Sequence, residues 1–277
     1  MDKEEKSKMI LSLGDIHGRD KWINHTHDNF YDFKNWKISI ENGAPVDDEF
    51  WSDLPYTKYD KIIFLGDYVD SFDLDNITIL NNFKNILFLK KCLPDKVVLL
   101  LGNHDIQYFI DKQICSGYRA EMRPDLYDLF TNKEYDFKIA HLEKSSNGNR
   151  WLWTHAGVTH GWLEQVKKEV FNPDYRFFKI LKHYKDSELD EFLNLLFDIR
   201  NDLIFNSDPY SGGLDLWAGP LWVRPLIFNK NPLVGVNQIV GHTPQIGLRK
   251  DKLEVANHYF VDCLWDDYDE TLKVKIE

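Results

Sequence analysis

Lys61-Ile62-Ile63-Phe64-Leu65-Gly66-Asp67-Tyr68-Val69-Asp70 is the stretch whose reading decides the fold. Ile62 to Leu65 is a short, unbroken apolar run with β-branched members, the pattern of a strand buried on both faces. Gly66 ends it and Asp67 follows at once. Ligands of open α/β sheets bind beyond the carboxyl ends of the strands, so Asp67 belongs at the mouth of a site. The same grammar recurs along the chain. Ile10 to Leu13 leads to Gly14-Asp15-Ile16-His17-Gly18, and Val97 to Leu101 leads to Gly102-Asn103-His104-Asp105. Trp151-Leu152-Trp153 leads to Thr154-His155-Ala156-Gly157, and Asn237 to Val240 leads to Gly241-His242-Thr243-Pro244. Five strand ends thus deliver Asp15, His17, Asp67, Asn103, His155 and His242, which are side chains that ligate metal ions.

Around these ends the pattern predicts strands over 9–13, 61–65 and 96–101, with a helix over 76–91 between the last two. Such a strand-helix-strand unit implies parallel strands, so Asp67 and Asn103 leave the sheet at the same edge. Helices are expected near 19–27, over 161–171 and over 187–204. The helix over 76–91 should bury Ile77, Leu80, Phe83, Leu87 and Leu89. Residues 135–143 and 149–154 read as two strands joined through Asn147-Gly148. Arg123-Pro124 reads as a break, and 259–263 with 272–276 reads as a terminal β-hairpin. Residues 29–59 hold many aromatics, Pro45 and Pro55, and no clean period, which suggests an insertion shaping one rim of the pocket. No repeat or low-complexity linker interrupts the chain, so one domain over 1–277 is expected.

The 277 residues are 43% hydrophobic and carry a net charge of -11. That balance opposes an extended nucleic-acid surface, which needs basic residues to displace counterions. It suits a cation-binding site. Cys92, Cys115 and Cys263 form no Cys-x-x-Cys pair and fit a reducing, cytoplasmic setting. No apolar run is long enough to span a membrane, and the mixed-charge start, Met1 to Lys6, lacks the apolar core of a signal peptide.

Carboxylates and neutral imidazoles suit divalent transition ions better than magnesium or calcium. Two such ions about 3.5–4 Å apart can hold a hydroxide and clamp a phosphate for in-line displacement. His104, directly after Asn103, has the chemistry of a general acid for the leaving oxygen. Asp70 stands three residues past Asp67, placed to fix the tautomer of His104 and raise its pKa.

Gly-Asp-Ile-His-Gly, Gly-Asp-Tyr-Val-Asp, Gly-Asn-His-Asp, Thr-His-Ala-Gly and Gly-His-Thr-Pro occur here in the order found in calcineurin-like metallophosphoesterases. The set most resembles the bacterial and phage branch of the serine/threonine phosphoprotein phosphatases. The resemblance implies an α/β fold of two mixed β-sheets packed face to face with helices outside, in four layers. It implies one ion on Asp15, His17 and Asp67, and a second on Asp67, Asn103, His155 and His242. Bridging hydroxide would attack phosphorus, with His104 as acid or phosphate contact and Asp70 behind it. Arg224 is similar to that family's second phosphate-binding arginine. Manganese is the first expectation for both ions, with iron or zinc fitting the same ligands. Two departures stand out. Ser71-Phe72 follows the second motif where phosphoprotein phosphatases have Arg-Gly, leaving Arg19 as the candidate replacement for phosphate binding. Asp105 stands where those enzymes have Glu.

The expected substrate is a phosphorylated small molecule, a nucleotide or a phosphoprotein, hydrolysed as a monoester. A nucleotide phosphohydrolase or phosphodiesterase is the alternative, with the 29–59 aromatics, Trp217 or Trp222 available to stack a base. A non-catalytic metal-holding scaffold is the other rival, although such proteins tend to lose a ligand or the acid histidine. His25, His27, His141, His160, His183 and His258 lie outside the motifs and read as packing or surface residues, His160 being the one nearest a motif.

Overall fold

The computed structural model describes residues 7–27, 30–42, 58–111, 114–184, 188–207, 212–264 and 269–276. In chain order the elements are β1 (Lys8–Leu13), α1 (Ile23–Thr26), α2 (Phe30–Glu41), β2 (Lys61–Phe64), α3 (Asn76–Cys92) and β3 (Val97–Leu99). Then come α4 (Asn103–Ile106), α5 (Arg123–Thr131), β4 (Ala140–Lys144), β5 (Arg150–Thr154) and α6 (His160–Val170). The rest are α7 (Phe178–Leu181), α8 (Leu189–Asp198), α9 (Pro225–Lys230), β6 (Val236–Val240), β7 (Arg249–Lys252), β8 (Asn257–Phe260) and β9 (Leu272–Ile276).

The strands form two mixed sheets, ordered β3-β2-β1-β9 and β4-β5-β6-β8-β7. β1, β2 and β3 run parallel, with Leu11 opposite Ile62 and Ile63 opposite Val98. β5, β6 and β8 are also parallel. Side chains alternate across each strand, and both faces are apolar. Ile10, Ile63, Trp153, Ile239, Val274 and Ile276 make one cluster between the sheets. Leu11, Leu13, Phe64, Leu152, Val240 and Phe260 point outward into the larger core that includes the helices. Trp153 Nε1 donates to Ser12 Oγ across the interior at 2.9 Å, which satisfies a buried donor the apolar layer would otherwise strand. The parallel strands of both sheets thus end along one shared edge.

α3 starts at Asp75, whose carboxylate accepts from the Thr78 amide at 2.9 Å, an N-cap that satisfies an otherwise orphaned donor. Its buried face is Ile79, Phe83, Ile86, Leu87, Leu89 and Lys90, whereas Ile77 is 73% exposed. The expected stripe is therefore rotated. Phe83 sets the angle by stacking on Tyr68 and Phe130, with centroids 5.2 and 4.8 Å away. Lys90 Nζ reaches the carbonyls of Pro94 and Val97 at 2.8 Å and ties the helix end to β3.

Other expectations are corrected. The 19–27 helix shrinks to the single turn of α1, between loops that serve the site. Within 29–59, residues 30–41 form α2, which seats Phe33 and Trp36 in the core beside Trp22 and His27. Residues 43–57, including Pro45 and Pro55, lie outside the described residues. Arg123-Pro124 begins α5, because proline is tolerated in a first helical turn where no amide partner is needed. The 187–204 helix stops at Asp198, and a separate 3-10 turn covers 202–205. The terminal hairpin does not form. β9 pairs antiparallel with β1 in the first sheet, while β8 joins the second, where its hairpin partner is β7. Among the described residues no helix is long and apolar enough to cross a membrane.

Candidate metal centre

Every motif lies in the turn that follows a strand, and backbone bonds lace these turns together. The amides of Ile16 and His17 both donate to Asp67 O, at 3.1 and 2.7 Å. Asp105, fully buried, accepts the amides of Gly102, Asp67 and Tyr68, each at 2.8 Å, and so joins the β2 and β3 turns. A methyl group at Gly102 would stand 2.1 Å from Asp67 Oδ1, so that turn has room only for glycine. His17, Asp67, Asp70 and His242 all hold positive φ without being glycine. Left-handed backbone of this kind costs about 1–3 kcal/mol per residue and gathers at functional sites.

The turns bring two overlapping groups of metal-ligand atoms together. Asp15, His17 and Asp67 form one, and Asp67, His155 and His242 form the other, with all atoms of a group within 4.8 Å of one another. Hydrogen bonds fix the tautomers of the second group. His155 Nδ1 lies 2.8 Å from Leu65 O and His242 Nε2 lies 3.1 Å from Trp222 O. A carbonyl only accepts, so both of those nitrogens carry the proton. The opposite nitrogens, His155 Nε2 and His242 Nδ1, then face each other at 3.2 Å as bare lone pairs. Asn103 Oδ1 is 2.9 and 3.0 Å from these two atoms. Its amide orientation is set by Nδ2 donating to Cys115 Sγ at 3.4 Å. Asp67 Oδ2 lies 3.5 Å from His155 Nε2. Four electron-pair donors therefore converge in the buried interior with no proton among them. Burial lowers the pKa of both imidazoles, His242 furthest, which keeps them neutral. Such a set fits a divalent transition cation.

The first group follows the same logic. His17 Nδ1 is 3.1 Å from Val69 O, leaving Nε2 toward Asp67 Oδ2 at 3.9 Å. Burial lowers the His17 pKa as well. Asp15 accepts the His242 amide through both oxygens, at 2.9 and 3.1 Å. Burial, then the neighbouring Asp262 and Asp67, push its carboxyl well above the usual range. Carboxylates crowded in this way favour a cation.

His104 is anchored from two sides. Its amide donates to Asp67 Oδ1 at 2.9 Å and its Nδ1 lies 3.1 Å from Asp70 Oδ2. Burial alone would lower its pKa, but Asp67, Asp70 and Asp105 outweigh that and raise it to about 9. Asp70 in turn accepts from Gln107 Nε2 and the Tyr108 hydroxyl. The imidazole is thus held in its protonated form beside the metal-ligand cluster.

The arginines are placed differently from one another. Arg224 binds Gly212 O at 3.1 Å, and His242 O and Thr243 Oγ1 at 3.2 Å, so it braces the turn that carries His242. Arg19 pairs with Asp73 at 3.0 Å on the wall of a cavity that His17 and Asp70 also line. Arg119, unremarkable in the sequence, binds the carbonyls of Ser71 and Leu74 and so shapes the loop after Asp70.

Sequence reasoning missed Asp262. It lines the same cavity, its carboxyl neighbours that of Asp15, and its pKa is raised to about 7 by burial and by Asp67. The signal was present, since Tyr259-Phe260-Val261-Asp262 is another apolar run ending in a carboxylate. Gln107 and Tyr108 were also missed, having no strand end to mark them. The remaining histidines lie elsewhere. His25 pairs with Asp269 at 2.8 Å and His141 with Glu143 at 3.0 Å. His258 stacks on Phe228, with ring centroids 3.8 Å apart. His160 and His183 are exposed. Trp222 is buried edge-on against His242, and the described aromatics of α2 are in the core, so neither offers a free face to a base.

Two mixed sheets, with side chains that could hold a metal ion converging at their common edge, define an α/β fold of the metallophosphoesterase class. The chain belongs to the calcineurin-like phosphoesterase family, whose profile matches residues 8–263. No curated protein sequence matches it. Among solved structures, it is similar to a cold-active protein-tyrosine phosphatase of a psychrophilic Shewanella species, with 16% identity and a TM-score of 0.46 over 93% of this chain and 71% of that one. It is also similar to a protein serine/threonine phosphatase of Saccharomyces cerevisiae, with 14% identity and a TM-score of 0.45 over 100% of this chain and 82% of that one.

Proposed function

We propose that the protein hydrolyses phosphate monoesters at a dinuclear metal centre. Asp15, His17 and Asp67 would hold one divalent ion, and Asp67, Asn103, His155 and His242 the other, manganese being the first candidate. Bound there, the ions supply a water-derived nucleophile near neutral pH and positive charge for the phosphoryl oxygens. The chain's own residues do the rest. His104 gives its proton to the departing oxygen, and Asp70 keeps the imidazole oriented and charged for that purpose. Arg224 donates to the phosphoryl oxygens from beside His242, and Arg19 reaches them from the opposite wall. The convergence of His155 Nε2, His242 Nδ1, Asn103 Oδ1 and Asp67 Oδ2 carries this reading, because those lone pairs repel one another unless a cation lies among them. Retention of every ligand together with the His104–Asp70 pair favours a catalyst over a scaffold.

The test is a panel of phosphoserine and phosphotyrosine peptides, nucleoside monophosphates, p-nitrophenyl phosphate and its bis ester, and diadenosine tetraphosphate. Each is assayed after chelation and again with manganese restored. Monoester turnover that disappears with the metal and returns with it is the expected result. A metal-loaded protein that turns over nothing in the panel removes the proposal, and turnover of diesters alone assigns the centre to the alternative chemistry.

A further inference from the structure

The cavity beside the metal-ligand cluster encloses about 400 Å³, with His17, Asp70 and Asp262 among its lining and Phe72, Pro244 and Arg19 on its walls. Phe72 is 78% exposed. A single exposed aromatic ordinarily needs no explanation; its location here does. It follows Asp70 by two residues, and its ring tip lies over Gly117, 3.6 Å from where a Cβ would stand. That same position is 3.3 Å from the Asp70 Cβ, so the ring is held close to the residue that orients His104.

Charge on this wall points the same way. Ser71 and Phe72 bring a hydroxyl and an apolar ring to this wall, and neither carries a positive charge. The nearby cation, Arg19, is already paired with Asp73 at 3.0 Å. Asp73 and Asp262 both line the cavity. Additional phosphates on a substrate would meet these carboxylates, whereas an uncharged planar leaving group would meet the faces of Phe72 and Pro244. In an aryl ester the ring is bonded directly to the ester oxygen, whereas a nucleotide interposes its ribose.

We propose that Phe72 and Pro244 seat the leaving group and select aryl phosphate monoesters, of which a phosphotyrosyl side chain is the representative form. The inference rests on the monoesterase reading above. In the reaction, water oxygen bonds to phosphorus and the phosphorus–phenolic oxygen bond breaks. The phenol leaves with a proton from His104, which the second water proton replaces, and hydrogen phosphate is the other product.

Two measurements on the full chain with manganese test it. The first is the ratio of kcat/KM for a phosphotyrosine peptide to that for a phosphoserine peptide of otherwise identical sequence. Phe72→Ala should lower this ratio about 3- to 10-fold and Phe72→Trp should restore it, the range that aromatic contacts usually cover. Comparing the ratio between proteins cancels the intrinsic reactivity of the two esters. The second is calorimetric binding of phenylphosphonate against methylphosphonate, which needs no turnover. Wild type should prefer the phenyl compound and Phe72→Ala should lose the preference. An unchanged ratio with an unchanged phosphonate preference overturns the proposal, as does adenosine monophosphate losing as much as phosphotyrosine. Failure to hydrolyse any monoester, with the Phe72-dependent phosphonate preference intact, would remove the reaction while leaving the aryl seat standing.

Discussion

His104 holds two bonds of different kinds, and a substitution separates them. The link from its amide to Asp67 is made by the backbone and survives any side-chain change, whereas the bond to Asp70 and the transferable proton belong to the ring. His104→Asn should therefore lower turnover about 10²- to 10⁴-fold, the usual contribution of a general acid. Metal content by elemental analysis should stay at the wild-type level. Loss of metal would show that His104 supports the ligand cluster instead. At this scale the six proposed ligands were legible because each sits in a glycine-containing turn after an apolar run. Asp262 ends an apolar run but lacks the glycine, and that run reads from sequence as half of a terminal hairpin. The tautomers were not legible at all. They depend on Leu65 O and Trp222 O, carbonyls whose positions only the assembled turns determine.

Asp105 acts at the scale of elements. One carboxylate accepts three backbone amides from two turns, and it is buried with them. Asp105→Ala would leave three buried donors without partners, each costing about 1–3 kcal/mol. Unfolding free energy measured by urea titration should fall by at least about 3 kcal/mol, and Asp105→Asn should lose less because its amide oxygen still accepts. A loss within about 0.5 kcal/mol of zero would mean the turns hold without the staple. The positions of α3, α6 and α8 were readable from periodicity, but the buried face of α3 was not. α3 is apolar on more than one side, so the aromatic cluster of Tyr68, Phe83 and Phe130 decides its rotation. α2 does not stand out in the sequence because its apolar residues, Phe30, Tyr31, Phe33, Trp36, Ile38 and Ile40, follow no clean helical period.

Across the whole molecule, buried histidines make stability depend on acidity. His258 is fully buried, bonded to Asn229 at 2.7 Å, and burial lowers its pKa to about 4 despite the opposing charge of Asp251. In the unfolded chain a histidine titrates near 6.5. Between those values the unfolded state binds more protons, so stability present above about pH 6.5 is lost as pH falls through about 4. The slope approaches about 1.4 kcal/mol per pH unit for one such group. His258→Phe keeps a ring against Phe228 but cannot titrate. Urea titrations from pH 7 to 4 should show its stability curve flatter than wild type by about that slope, and superimposable curves would mean His258 is not the titrating group.

Strand ends, their order and the chemistry of the residues that follow them are local properties, and the chain alone determined them. Periodicity and the meaning of a glycine after an apolar run require only neighbours in sequence. Which sheet each strand joins was decided by tertiary pairing. β9 pairs with β1, where Val274 and Ile276 are buried between the sheets and Lys273 and Lys275 face out, and β8 pairs with β6; no local pattern states which partner each takes. The convergence of Asp15, Asp67, Asn103, His155, His242 and Asp262 at one edge belongs to that same level. It depends on the parallel strands of two mixed sheets ending together, with His155 Nδ1 bonded to Leu65 O across the join.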